Sequence, residues 1–291
     1  MARVSLSSDN SYDPWMNHAL REIYGTYGDV ASVVDKSKSL NKFGITRNSD
    51  SGVKTTIADF QGTVVNETLE TTNAIDYLIS TSANDTETIS VEGHTIDADG
   101  NLAFAIQNIV LTGQTRVALT TPLARCTRLT VKDGTFASPS SDLQGIVSAY
   151  DGTGGQSAGG VPTTATAVKC RIRGDLGRNQ SDKCATSISS GDYWIIKEMH
   201  CGLEKSGGST VNADFDIEVR RLGGVWKPIG AQVDMRTSTN PFEHVEFTPY
   251  LIVPPNSDVR MTVTSDGTDV IAEGRIEGVL ALVRTNEYDV A

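Results

Sequence analysis

The chain has 291 residues and a formal net charge of −11, from 25 Lys and Arg against 36 Asp and Glu. That balance argues against a nucleic-acid-coating protein, which needs a basic face, and favours solubility or docking on a basic partner. No stretch approaches about 18 consecutive apolar residues, so no membrane-spanning helix is expected.

The opening MARVSLSSDNSYDPW lacks an apolar h-region, so a secretory signal is not expected. Asp13-Pro14 is a good helix start, because Asp caps and Pro fits the first helical position. Trp15, Ala19, Leu20, Ile23 and Tyr24 then recur at helical spacing, and Gly25 and Gly28 end the run. A helix of about three turns is marginal alone in water, so its apolar stripe needs a partner. The polar stretch SKSLNKFGITRNSDSG that follows reads as an extended arm. Residues 1–58 are thus expected to form a docking segment, with Trp15, Leu20, Ile23, Tyr24 and Phe43 as assembly anchors.

From residue 59 the pattern turns to strands. TIADF, AIDYLIS, ETISVEG, LAFAIQNIVLT, RVALT and CTRLTVKDG are short β-type runs set off by Gly, Asp, Asn and Ser. Asp97 to Asn101, DADGN, resembles a calcium loop, but Leu102 stands where the loop needs Gly and Asn108 where it needs a bidentate Glu. Asp-Gly between apolar runs reads instead as a hairpin turn. Gly113-Gln114 is a second turn. GTGGQSAGG (152–160) is not G-x-G-x-x-G and opens no helix, so a flexible linker is expected over 152–162. Beyond it Phe215, Ile217 and Val219, then Val259, Met261 and Val263, alternate as strands with one buried face. Arg220 to Trp226 reads as a Gly-Gly hairpin and Pro254 to Ser257 as a turn. The expected fold class is mainly β: two β-sandwich or jelly-roll-like domains, at 59–151 and 163–291, preceded by a short N-terminal helix and an extended arm.

Chemistry is sparse. The cysteines, Cys126, Cys170, Cys184 and Cys201, form no close pair, so buried reduced thiols are expected rather than a zinc site, although His200-Cys201 with Cys184 makes a partial ligand set. There is no G-x-S-x-G and no H-E-x-x-H, and His18, His94, His200 and His244 come with no partner motif. Asp214 and Asp216 share a strand face but read as solvated acids opposite Phe215 and Ile217. Arg173-Gly174-Asp175 reads as a turn, KCRIRGDLGR (169–178) as a polar rim, and Trp194 and Trp226 as core. No catalytic, cofactor-binding or metal-ligating residue is expected, and no enzyme.

Two segments carry a resemblance. SLNKFGITRN (39–48) and AIDYLISTSANDTETISVEGHTIDADGNLAFAIQNIVLTGQTRVAL (74–119) resemble virion structural proteins of marine and freshwater tailed bacteriophages. In that class an NKFG-like arm, here Asn41-Lys42-Phe43-Gly44, precedes a β domain with turn motifs matched by Ser80 to Thr86, Asp97 to Asn101 and Leu111 to Thr115. FEHVEFTPYLIVPPNSDVRMTVTSDGTDVIAEGRIEGVL (242–280) looks like the β-sandwich of the same proteins. Thr112 departs from the usual Asn, and the N-terminal helix is not a feature of the class. The resemblance implies a non-enzymatic virion component, assembled in the host bacterial cytoplasm. Its expected partners are copies of itself, as a trimer or higher, and other virion proteins. Serial β domains behind an N-terminal anchor favour a fibre-type protein on the tail or neck. The alternatives are a capsid decoration (cement) protein and a carbohydrate-binding module that recognises a host-surface glycan; no nucleic acid or membrane is expected as a partner.

Overall fold

Short alternating runs separated by turn residues can bury their apolar faces only by pairing sheets, and the computed structural model is built that way. It describes residues 38–49, 51–132, 143–205, 210–238 and 241–282. Most of the described residues lie in antiparallel strands, in two sandwiches, with three short 3-10 turns among them.

The first sandwich contains β3 (Ile75–Ser80), β4 (Thr88–Ile96), β5 (Leu102–Val110), β6 (Val117–Leu123), β7 (Arg125–Val131), β8 (Ile146–Asp151) and β9 (Val168–Arg173). Its sheets have the orders β6-β3-β8-β9 and β5-β4-β7. Between them lie Ile75, Leu78, Ile89, Val91, Leu123, Leu129, Val147 and Ile172. The second sandwich contains β1 (Lys38–Ser49), β2 (Thr55–Thr56), β10 (Ala185–Ile188), β11 (Asp192–Lys205), β12 (Asn212–Arg221), β13 (Lys227–Arg236), β14 (Phe242–Val253), β15 (Ser257–Ser265) and β16 (Val270–Leu282). One sheet runs β1-β16-β11-β14; the other runs β10-β15-β12-β13, with β2 added on β15. Trp194, Met199, Phe215, Ile217, Met261, Val263 and Ile276 fill the space between them.

The strands do not follow the expected domain boundaries. The arm over 39–48 is β1, paired along its length with β16 from Lys38–Leu280 to Thr46–Ala272. β9, expected in the second domain, pairs with β8 of the first. The first sandwich is therefore inserted into the second, between β2 and β10. The incoming and outgoing legs run side by side: Ala58 bridges Lys183, and Asp59 N–H donates to Asp182 O. Composition is local, whereas strand pairing here joins residues more than two hundred apart, so no local signal marks the insertion.

The Gly-rich stretch is likewise not a linker. It is the loop joining β8 to β9, closed by Ser157 N–H to Val161 O, Gly160 N–H to Ser157 O and Thr164 N–H to Gly154 O. Gly152 N–H also donates to the Asp76 carboxylate at 2.7 Å, which ties the loop to the sandwich.

The turns agree with the sequence. DADGN joins β4 to β5, with Gly100 at φ +83°. Asp97 Oδ1 accepts the N–H groups of Asp99 and Asn101, at 2.9 and 2.7 Å, and Oδ2 accepts from the Asn101 side chain. The carboxylate that a calcium ion would need is spent on the turn itself. Gly223, at φ +73°, turns β12 into β13, and Asn256 turns β14 into β15.

Candidate functional site

The expected anchors Trp15, Leu20, Ile23 and Tyr24 lie outside the described residues. Phe43 is half-buried in β1 opposite Arg275, so it is part of a sheet and not a free arm.

An apolar surface lies elsewhere. β5 is an edge strand of its sheet. Ala105 and Ile109 face the core, while Phe104, Ile106 and Val110 face outward, 55%, 61% and 58% exposed. These three large apolar side chains share one face of the strand, interrupted only by the exposed Asn108, which differs from isolated exposed residues. The edge is partly capped: Gln107 Nε2 donates to Thr121 O on β6 and Thr121 N–H donates back to Gln107 Oε1. The alternation in LAFAIQNIV is visible in sequence, but the smaller side chains face inward, so the pattern alone does not show that the larger set is free.

The same outer face abuts the second sandwich at its other end, where polar groups are buried. Arg125 of β7 grips Asp258 of β15 through two bonds, Nε to Oδ1 at 2.8 Å and Nη2 to Oδ2 at 3.2 Å. Ser187 Oγ donates to Asp258 Oδ1 at 2.7 Å, and Arg220 Nη2 donates to Oδ2 at 3.1 Å. Burial alone would raise the Asp258 carboxyl; Arg125, Ser187 and Arg220 outweigh it and hold it below its ordinary value. Lys183 on the outgoing leg pairs with Glu67 at 2.6 Å and donates to the carbonyls of Cys126 and Lys169. Lys42 of β1 donates to Thr127 O, and burial lowers its amine to about 8. His94, held mainly by burial at about 3, meets the edge of the Phe104 ring.

A small pocket opens on this seam, lined by Thr56, Glu67, Arg125, Trp226, Asp258 and Arg260 among others. Trp226, expected in the core, is only half-buried there: the guanidinium groups of Arg220 and Arg260 lie 5.2 and 4.2 Å from its ring centre. Trp194 is fully buried, as expected. KCRIRGDLGR is not simply a polar rim: Lys169 is buried against Glu70, and Arg171 and Arg173 both reach Asp59. The four cysteines are free and buried.

The structure also brings together residues that the sequence holds 46 positions apart. On the outer face of the β1-β16-β11-β14 sheet, His244 Nε2 lies 2.8 Å from Glu198 Oε2. His200 stacks on His244, ring centres 4.4 Å apart and planes within 5°. His200 Nε2 lies 3.8 Å from Glu198 and 3.6 Å from Glu277. The His244 hydrogen bond is the main reason the Glu198 carboxyl sits below its ordinary value. In the sequence His200 has Cys201 and Cys184 as its partial ligand set and no partner motif for catalysis, so its meeting with His244 and Glu198 is not visible there. The thiols of both cysteines are buried, whereas His200 faces outward, because neighbouring residues of a strand point to opposite faces.

No protein-family model matches the chain. No curated protein matches it either. Among solved structures, an infectious bursal disease virus (Gt strain) chain aligns at TM-score 0.22 and 10% identity, over 87% of this chain and 73% of that one. The tandem CBM22-1-CBM22-2 domain of Paenibacillus barcinonensis Xyn10C aligns at 0.22 and 13%, covering 86% and 94%. The Cry4Aa toxin of Bacillus thuringiensis aligns at 0.21 and 9%, covering 85% and 53%. At such scores these likenesses carry no argument about what the chain does.

Proposed function

We propose that the chain is a non-enzymatic structural component of a tailed-phage virion, a homo-oligomeric exterior protein docked on the tail or neck through its N-terminal segment. The observation that carries an assembly role is the outward set Phe104, Ile106 and Val110, which lies on an edge strand and is more than half exposed at each position. The buried cores of interfaces, and homo-oligomer interfaces as a whole, are more apolar than ordinary surface and richer in aromatic side chains. The resemblance over 39–48 and 74–119 supplies the virion setting. As a glycan platform Trp226 itself is unsuited, because its ring is engaged by two guanidinium groups.

The test is mass spectrometry of separated heads and tails from purified particles. A handful of copies with tails, in multiples of three or six, supports the reading. Tens to hundreds of copies with heads would make the chain a decoration protein instead. Absence from both fractions would remove the virion assignment, and binding on a glycan array would then favour a carbohydrate-binding module.

A further inference from the structure

Sheet register places an unusual set of side chains abreast on one solvent-facing surface. On one rung Glu198 of β11 stands between Glu246 of β14 and Glu277 of β16. On the next rung His200 stands between His244 and Arg275. Three carboxylates side by side on adjacent strands repel one another, and such like-charge neighbours are avoided in sheets unless something offsets them. Arg275 offsets one: its Nε meets Glu277 Oε1 at 2.5 Å and fixes that carboxylate. Nothing comparable faces His200. Its Nε2 is shielded from solvent and has no hydrogen-bond partner, although it is aimed between the Glu198 and Glu277 carboxylates.

Glu198, His200 and His244 each offer one ligand atom, and these atoms all lie within 4.8 Å of one another. Ligands around a zinc ion, at about 2.0–2.2 Å from the metal, are separated by roughly 3.3 Å, so small side-chain rotations close the set. Two imidazole nitrogens and a carboxylate oxygen suit a borderline divalent transition ion; magnesium and calcium prefer all-oxygen shells. The orphaned Nε2 becomes a ligand, and the ion offsets the row of carboxylates. Glu277, held by Arg275, is placed either to complete the shell or to hydrogen-bond a metal-bound water.

We propose that Glu198, His200 and His244 form a binding site for a divalent transition-metal ion of the zinc type, which staples the edge strand β14 to β11. The proposal does not depend on the virion reading.

The full chain, stripped with a chelator and dialysed, is titrated calorimetrically with ZnCl2. The expected result is one saturable site per chain, weakened at least tenfold in His200→Ala and in His244→Ala. At a free zinc concentration a hundred times the dissociation constant, Tm should rise by about 5 °C in the wild type and not in the variants. No saturable binding, or equal binding by the double variant His200→Ala/His244→Ala, would overturn the site. Cobalt(II) spectroscopy of the wild-type chain gives a second reading that needs no variant. Ligand-field bands without thiolate charge transfer support the assigned ligands; a thiolate charge-transfer band assigns the metal to the cysteines and refutes the proposal.

Discussion

Asp258 is one carboxylate answering two arginines and a serine hydroxyl at the junction of two sandwiches. Removing Arg125 leaves a buried acid short of its main partner, and Arg125→Ala should cost about 3–5 kcal/mol in chemical denaturation. Because the folded Asp258 carboxyl lies below its ordinary value, its contribution is complete above the unfolded value of about 3.9 and fades as pH falls through the lower folded value. The stability gap between wild type and Asp258→Asn should therefore be widest near neutral pH and narrow below about pH 4. A gap independent of pH between about 2 and 6 would mean the carboxylate's charge is not what stabilises the seam. The identities of these residues are plain in the sequence, but Arg125 and Asp258 lie 133 positions apart and their meeting is not.

At the scale of the element, β1 explains a motif. The Gly of the NKFG run, Gly44, lies where a Cβ would fall 2.4 Å from both Cys184 N and Ile57 O. The glycine is there because backbone passes against backbone, and Gly44→Ala should destabilise by about 1–3 kcal/mol or more through overpacking, measured as a drop in Tm. β5 gives the opposite case, an element whose outer row stays more than half exposed, Phe104 meeting only the edge of His94. Phe104→Glu with Ile106→Lys should leave Tm nearly unchanged and shift the chain toward monomer in light scattering. A large fall in Tm would show that the row is structural. Most individual strands and the turns DADGN, Gly223-Gly224 and Pro254 to Ser257 were legible because turn chemistry and alternation are local. Sheet membership was not, since hydrogen bonding across a ladder leaves no mark on either strand alone. This is why an arm and a linker were expected where β1 and a closed loop stand, and why Trp226 was expected in a core that it only borders. The His-Glu cluster was hidden for the same reason: it exists only once β11, β14 and β16 are in register.

For the whole molecule, the insertion changes how the chain can be cut. A fragment over 59–151 lacks β9 and leaves β8 with an open edge, whereas 59–183 keeps every strand of the first sandwich. Only the longer fragment should give a cooperative unfolding transition by circular dichroism. Removing residues 1–45, which would spare two self-contained domains if the arm were free, instead deletes most of β1 from the second sandwich. Removal of residues 1–37 spares every described strand, and on the proposed N-terminal docking the shortened chain should be lost from particles. Normal incorporation of that shortened chain would refute N-terminal docking.

The pairing of β1 with β16 has a consequence for synthesis. Among the described strands the earliest, β1, waits for the latest, because its partner over 270–282 is made more than 200 residues after it. The inserted sandwich has all its strands earlier and is free to fold while β1 is still unpartnered. A chain broken off before residue 270 would lack β16 and leave β1 without the strand it pairs with along its length.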